Sequence, residues 1–182
     1  NMKKLMLPDF FQASEVPIVH KFYRNYFKDC YVCGDVDYIF GPNTAFFDHC
    51  EIHSIARVSE GKAYITAAST PAGQEFGLVF SHCRITGEEP DSVYLGRPWR
   101  DCAKTAFICC ELGDHICPEG WQNWGKVRAE VLSDYIEYGN FGPGADCSGR
   151  SPLSRCLVNP EVETYFSKEN VLVGEDGWIP AE

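Results

Sequence analysis

The sequence predicts an all-β fold, a right-handed parallel β-helix in which single strands stack rung upon rung as a solenoid. A Phe-x-x-Cys-x-aliphatic pattern occurs four times in the 182 residues. Helical periodicity is almost absent, and short apolar runs alternate with Gly, Pro, Asp and Asn. Irregularly spaced copies of one strand motif are typical of a solenoid whose rungs are joined by loops of differing length.

The four copies of this pattern predict an interior built from ladders of like residues. They begin at Phe27, Phe47, Phe80 and Phe107, and each has a cysteine three residues further on. Successive cysteines are 20, 33 and 27 residues apart. Small polarizable cysteines stacked on each other would fill the coil, since free cysteine is among the most buried residue types. Most of the ten cysteines are therefore interpreted as core residues rather than disulfides.

The individual elements follow from local composition. The run GDVDYIFG, residues 34–41, alternates polar and apolar residues between two glycines, which predicts one short strand with a turn at each end. On such a strand Asp35 and Asp37 would share a face. The other predicted strands are residues 63–68, 76–83, 105–112 and 131–138, and residues 160–168 predict a short helix with Pro160 in its first turn.

Charge and hydropathy exclude two classes of partner. The net charge is −10, from 16 Lys+Arg and 26 Asp+Glu, which argues against nucleic acid. No apolar run reaches the roughly 18 residues that span a bilayer, so no membrane is expected. An acidic substrate would have to meet a locally basic groove, and Arg97, Arg100 and Lys104 are the candidates for it.

No metal or other cofactor is expected. Cys30 and Cys33 have metal-ligand spacing, but no second Cys-x-x-Cys pair follows, and a structural metal is not expected there. The histidines form no His-Glu-x-x-His motif and are interpreted as rung-surface or turn residues. These are His20, His49, His53, His82 and His115.

Two motifs resemble signatures of the pectinesterases, the pectin methylesterase family. These are GDVDYIFG at residues 34–41 and YLGRPW at residues 94–99, and the resemblance continues in residues 61–71, 119–125 and 138–145. It runs from about Phe22 to the C-terminus. The expected organisation is therefore a divergent segment or cap at residues 1–21, followed by a pectinesterase-like β-helix with a C-terminal tail at residues 22–182.

The resemblance implies an Asp-nucleophile esterase acting on methyl-esterified homogalacturonan. Asp37 stands at the family's nucleophile position, where it would attack the C6 methyl ester, release methanol and leave an acyl-enzyme for water to hydrolyse. Arg97 stands at the matching arginine position and would orient Asp37 through paired hydrogen bonds. Trp99 matches the family's sugar-stacking aromatic, and Phe40 would lie beside the substrate. A secreted monomer is expected, although no signal peptide opens the chain.

The sequence departs from the family upstream of Asp37. The family carries a general-acid aspartate 21 residues before its nucleophile, and here that position holds Val16. The oxyanion glutamines have no visible counterpart. Asp35, Asp9 or Glu15 could replace the missing acid, or the coil could be truncated at its N-terminal end, with residues 5–11 as a cap.

Three other interpretations stay open. A catalytically impaired pectin-binding protein would keep a sugar groove formed by Arg97, Trp99, Trp121 and Trp124. A glycosidase or lyase could use the Asp35/Asp37 pair, although LGRPW favours the esterase family. A serine esterase is disfavoured because the sequence has no Gly-x-Ser-x-Gly motif.

Overall fold

The predicted parallel β-helix is confirmed. The computed structural model describes residues 23–174, 176–178 and 180, and the backbone of residues 5–6. The strands are β1 (Leu5–Met6), β2 (Arg24–Lys28), β3 (Tyr31–Gly34), β4 (Val36–Gly41), β5 (Thr44–Asp48), β6 (Glu51–Ser54), β7 (Ala63–Ala68), β8 (Leu78–Ser81), β9 (Arg84–Gly87), β10 (Val93–Gly96), β11 (Lys104–Ile108), β12 (Glu111–Leu112), β13 (Asp134–Tyr138) and β14 (Ser154–Leu157).

The strands form three sheets that run along the coil. The first sheet has the order β1-β4-β7-β10, the second β14-β13-β11-β8-β5-β2 and the third β12-β9-β6-β3. Every strand pair between rungs is parallel. Up to β12 each turn of the coil contributes one strand to each sheet in succession, β13 and β14 extend the second sheet alone, and residues at equivalent positions of neighbouring rungs lie directly above one another.

The phenylalanines of the sequence pattern form a continuous stack in the core. Phe27, Phe47, Phe80 and Phe107 are in register, and their successive ring centroids are 4.7, 4.7 and 4.5 Å apart with the rings nearly parallel. This spacing matches the distance between paired strands, so the sheet register itself sets the ring stacking. The next rung has Glu137 opposite Phe107, and Trp121 packs edge-on against Phe107 in its place.

The cysteines of the pattern form a second ladder, as predicted. The thiols of Cys50, Cys83 and Cys110 each donate to the carbonyl oxygen of the phenylalanine one rung before, at 3.3–3.4 Å. Beside them the aliphatic residues pair in register: Val32, Ile52, Ile85 and Leu112. Eight cysteines are free thiols, and Cys147 and Cys156 form a disulfide.

The turn between the second and third sheets recurs in one conformation. The residue before each ladder cysteine has a positive φ of 50–53°. These residues are Asp29, His49, His82 and Cys109, and Gly139 takes the same place one rung further with φ +62°. The left-handed conformation bends the chain from the second sheet into the third within one residue. His49 and His82 are stacked rings, as predicted for turn histidines, but His115 is fully buried, which corrects that interpretation for this residue.

Several predicted boundaries were wrong. Residues 105–112 contain two strands, β11 and β12, because the turn at Cys109 interrupts them. Residues 131–138 begin in a short helix, α1 (Ala129–Leu132), and the strand starts only at Asp134. Val131 is apolar but exposed, so its hydropathy did not mark a buried strand.

The predicted helix at residues 160–168 is two helices. Helix α2 (Glu161–Tyr165) follows Pro160, and helix α3 (Lys168–Val171) begins after Ser167. Ser167 is extended and its hydroxyl accepts a hydrogen bond from the Asn170 amide, which ends one helix and starts the next. Beyond them, Arg24 pairs with Asp176 and lies over the Trp178 ring. None of the described helices is long and apolar enough to cross a membrane.

The phenylalanine stack predicts a large loss of stability on truncation at its centre. Phe80 is fully buried between two rings, so we expect Phe80→Ala to lower the free energy of unfolding by about 3–5 kcal/mol in urea denaturation. Phe141 is 57% exposed, and Phe141→Ala is the matched control, with an expected change within about 0.5 kcal/mol. Equal losses from the two variants would contradict the stacked core.

Candidate active site

The first sheet brings Asp37 and Arg97 together from rungs on either side of β7. Asp37 lies in β4, and Arg97 follows the last residue of β10. Arg97 Nε donates to Asp37 Oδ1 at 3.0 Å, and Nη2 donates to Oδ2 at 2.6 Å. The two side chains are 16–17% exposed, so the pair lies at the surface of the coil but is largely shielded from water. A two-point contact of this kind fixes both the position and the plane of the carboxylate.

A bulge in β4 sets the direction of the Asp37 side chain. Val36 pairs with Tyr64 and Ile39 with Thr66, so two residues of β4 lie opposite the single residue between Tyr64 and Thr66. Asp37 takes up the extra residue with a φ of +50°, a conformation that Asp tolerates better than most residues. Bulges of this kind re-aim a side chain next to functional sites.

The bulge corrects the predicted strand. The chain bends at Asp35, outside β4, and the consecutive residues Tyr38, Ile39 and Phe40 are all buried. Regular alternation therefore does not hold, and it cannot place Asp35 and Asp37 on one face. The Asp35 carboxylate accepts a hydrogen bond from the Val36 amide at 2.8 Å.

The Arg97 guanidinium is held between two aromatic rings. Its central carbon lies 3.8 Å from the Tyr64 ring centroid and 3.7 Å from that of Trp124. Tyr64 comes from the rung between Asp37 and Arg97, and Trp124 from the loop after β12. The sequence motifs assigned no role to Tyr64. The parallel order of β4, β7 and β10 places β7 between Asp37 and Arg97, and this could have indicated that Tyr64 contacts Arg97.

The segment after β10 is anchored by its backbone. The Trp99 amide donates to the Ala68 carbonyl, and Lys126 Nζ donates to the carbonyl oxygens of Pro98 and Trp99 at 2.8 and 2.6 Å. A Cβ at Gly96 would overlap Thr66 Oγ1, so only glycine allows this close approach to β7. Burial lowers the pKa of Lys126 below its ordinary value, while nearby Asp101 acts in the opposite direction.

Two predicted aromatic residues lie side by side next to this pair. The Phe40 and Trp99 rings are 5.2 Å apart at 54°, with Phe40 buried and Trp99 partly exposed. An open cleft of about 370 Å³ adjoins Trp99. It is lined by Ser69, Thr70, Pro71, Ala72, Trp99, Arg100, Asp101, Cys102 and Lys126.

Two expected groove residues lie elsewhere. Lys104 lies at the start of β11, in the second sheet, and its Nζ donates to the Glu75 carbonyl. Lys126, rather than Lys104, is the second positively charged residue of the cleft beside Trp99, together with Arg100. Trp121 is 2% exposed, and its indole nitrogen donates to Glu137, so it is a core residue and does not line the cleft beside Trp99. Arg150 pairs with the same carboxylate, which satisfies this buried charge.

The candidates for a general acid at the N-terminal end, Asp9, Glu15 and the position of Val16, lie outside the described residues, as does the predicted cap at residues 5–11 apart from the backbone of 5–6. In the described part, β1 adds a parallel strand beside β4. The site therefore consists, as far as it is described, of an oriented carboxylate, its aromatic-clamped arginine and an adjoining aromatic cleft.

Comparison with known proteins gives one consistent result. A model of the pectinesterase family matches residues 13–175. Pectinesterase 31 of Arabidopsis thaliana is 40% identical over 140 residues, which cover 76% of this chain and 43% of that protein. Putative pectinesterase 11 of the same plant is 33% identical over 157 residues, covering 86% of this chain and 43% of the relative.

Solved structures agree with the sequence relatives. Pectin methylesterase from carrot superimposes with a TM-score of 0.76 and 29% identity, covering 87% of this chain and 54% of the carrot chain. A pectin methylesterase in complex with a hexasaccharide gives a TM-score of 0.69 and 27% identity, covering 87% of this chain and 53% of the other. The chain spans about half the length of these structures and about two fifths of the curated relatives. On its sequence, its coil and the extent of the family match, this chain belongs to the pectinesterase family.

Proposed function

We propose that this chain carries out the nucleophilic chemistry of a pectin methylesterase, the hydrolysis of C6 methyl esters of homogalacturonan. The observation that carries the proposal is the two-point contact between Arg97 and Asp37 beside the Trp99 cleft. Arg97 holds a carboxylate at the surface of the coil without covering it, and such a group can act as a nucleophile toward an ester.

The reaction assigns one role to each residue. An Asp37 carboxylate oxygen attacks the ester carbonyl carbon, the bond to the methoxy oxygen breaks, and methanol leaves after taking up a proton. The resulting anhydride between Asp37 and the galacturonate is then cleaved by water, which restores the Asp37 carboxylate and releases the acid product. Arg97 holds the carboxylate in the attacking orientation during the first step.

The substrate assignment rests on the surroundings of this pair. Trp99 is partly exposed next to the cleft, and a sugar ring can stack on its face. Arg100 and Lys126 place two cations at the cleft, which favours an acidic polysaccharide despite the net charge of −10. The hexasaccharide complex of a related pectin methylesterase supports an oligosaccharide ligand.

A second candidate is binding of pectin without turnover. It is favoured by Val16, which stands where the family spacing expects the general acid, because valine cannot donate a proton. Loss of general acid catalysis lowers a rate by about 10²–10⁴, and loss of an oxyanion donor by about 10²–10³. Asp35 is a poor replacement because its carboxylate is engaged by the Val36 amide.

The location we propose is extracellular. The Cys147–Cys156 disulfide supports an oxidising compartment, because such bonds are rare in reducing ones. The relatives are pectinesterases of plants and microbes, whose polymer substrate lies outside the cell. A monomer remains our expectation.

Replacing the nucleophile tests the main proposal. We expect Asp37→Asn, which keeps the size and one acceptor of the side chain, to lower methanol release from esterified pectin at least about 10³-fold. The control is Asp35→Asn, expected to change the rate less than about threefold, because this carboxylate only caps the next backbone amide.

The same assay separates the two candidates. Methanol release that is equal for the parent and Asp37→Asn would end the esterase proposal. Binding of methylated oligogalacturonide by a parent that releases no methanol would favour the second candidate. Absence of both methanol release and binding would contradict both.

The aromatic clamp on Arg97 makes a second prediction. Trp124→Ala removes one face of the clamp, worth about 1–2 kcal/mol in a shielded site, and we expect kcat/KM for methanol release to fall about 5–30-fold. Trp178→Ala is the matched control, since Trp178 is similarly exposed and also lies over an arginine, Arg24. An unchanged kcat/KM for Trp124→Ala would show that Trp124 does not help to position Arg97, which Asp37 and Tyr64 would then hold without it.

A further inference from the structure

A cluster of metal-ligating side chains lies on the outside of the coil, away from the first sheet. His82, Cys109 and Glu163 each present one ligand atom, and the three atoms lie within 4.8 Å of one another. His82 and Cys109 follow strands β8 and β11, and Glu163 lies in helix α2 of the C-terminal segment. None of these residues belongs to the Asp37–Arg97 site.

The two coil residues are held by the fold in the same conformation. His82 and Cys109 have φ values of +52° and +53° at equivalent turns of neighbouring rungs. The His82 amide donates to the Ile108 carbonyl, and the Cys109 amide donates to the Tyr138 carbonyl, so the backbone fixes their separation at about one strand spacing. Gly139 continues the series and packs against Cys109 Sγ, where a side chain would interfere.

The His82 ring is oriented as a metal ligand requires. Its Nδ1 lies 2.9 Å from Ser81 Oγ, and its Nε2 lies 3.8 Å from Glu163 Oε1. The Ser81 hydroxyl can accept a hydrogen bond from Nδ1–H, and in that tautomer Nε2 carries the lone pair that binds an ion. Stacking on His49, with the rings 5.2 Å apart and 8° from parallel, further restricts the ring.

The donor set fits zinc. Nitrogen, thiolate and carboxylate ligands at 2.0–2.3 Å in tetrahedral geometry lie about 3.4–3.6 Å from one another. His82 Nε2 and Glu163 Oε1 are 3.8 Å apart and all three ligand atoms lie within 4.8 Å of one another, so closing on an ion requires a small movement, which the exposed Glu163 side chain can make. Cys109, Val162 and Phe166 all pack against the same buried apolar cluster, so the C-terminal helix and the turn at Cys109 share one apolar base.

We propose that His82, Cys109 and Glu163 bind one Zn²⁺ ion, with water completing the coordination. The thiolate and imidazole favour zinc over magnesium or calcium, which take oxygen ligands. The ion ties helix α2 to two neighbouring rungs of the coil, so the site has a structural role that is independent of ester hydrolysis.

The described part of the chain contains one other cluster of potential metal ligands, and its residues are not suited to bind an ion. It consists of Glu137, Cys147 and Cys156. The two sulfurs form a disulfide and are not thiolates, and Glu137 is already bonded to Arg150 and Trp121.

Metal titration of the purified chain tests the proposal. With zinc in a calorimeter, we expect saturable binding of one ion. Cobalt(II) as the spectroscopic probe should give a sulfur-to-metal charge-transfer band and the intense visible bands of a tetrahedral site. Cys109→Ser and Glu163→Gln should each weaken zinc binding at least about 100-fold, because even residues that only support a ligand contribute 10–100-fold.

Matched controls lie within the same chain. His53→Gln removes a partly buried histidine of β6 that is not part of the cluster, and Cys102→Ser removes a partly buried thiol elsewhere, so both should keep the parental zinc Kd within about threefold. Circular dichroism of each variant establishes that it is folded, and Glu163→Gln is exposed enough to leave the coil intact. The proposal is overturned if the parent shows no saturable zinc binding, or if Cys109→Ser and Glu163→Gln both bind zinc as tightly as the parent.

Discussion

The in-register pairing of parallel strands is the constraint on which the rest of this structure depends. Because equivalent residues of successive rungs lie directly above one another, the phenylalanines stack at 4.5–4.7 Å, and each ladder thiol after the first reaches the carbonyl of the rung before it. A shift by one residue would turn these side chains out of the core. The repeated left-handed turn residue before each ladder cysteine keeps the register from drifting between the second and third sheets.

The same register assembles the candidate site from residues that are 60 positions apart in sequence. Strands β4, β7 and β10 lie side by side, so Asp37, Tyr64 and Arg97 come from three neighbouring rungs. Among the described strand pairs the bulge at Asp37 is the one shift of register, and it turns the carboxylate toward the guanidinium. The repeated strands therefore hold the surface site rigidly. One extra residue in β4 directs the Asp37 side chain, and the loop after β12 supplies Trp124.

The sequence predicted the coil and its cysteine and aliphatic ladders, because repeated patterns are local signals. That Asp37 and Arg97 would lie together followed only from the resemblance of GDVDYIFG and YLGRPW to the family's motifs. The sequence did not predict the bulge. The alternation of GDVDYIFG suggests a regular strand, and the composition does not indicate that Asp37 adopts a left-handed conformation. Trp121 and Trp124 look alike in sequence, but one is core and the other clamps Arg97. The cluster of His82, Cys109 and Glu163 has no recognisable spacing, because only the rung register and the C-terminal helices bring it together.

A double-mutant cycle on Asp37 and Arg97 tests the central claim most directly, because it does not depend on turnover. The free energy of unfolding in urea would be measured for the parent, Asp37→Asn, Arg97→Gln and the double variant. Two groups joined by paired hydrogen bonds in a shielded site should show a coupling energy of about 1–3 kcal/mol. A coupling energy of zero within about 0.3 kcal/mol would mean that the two side chains do not meet in solution, and the account of the site would be wrong.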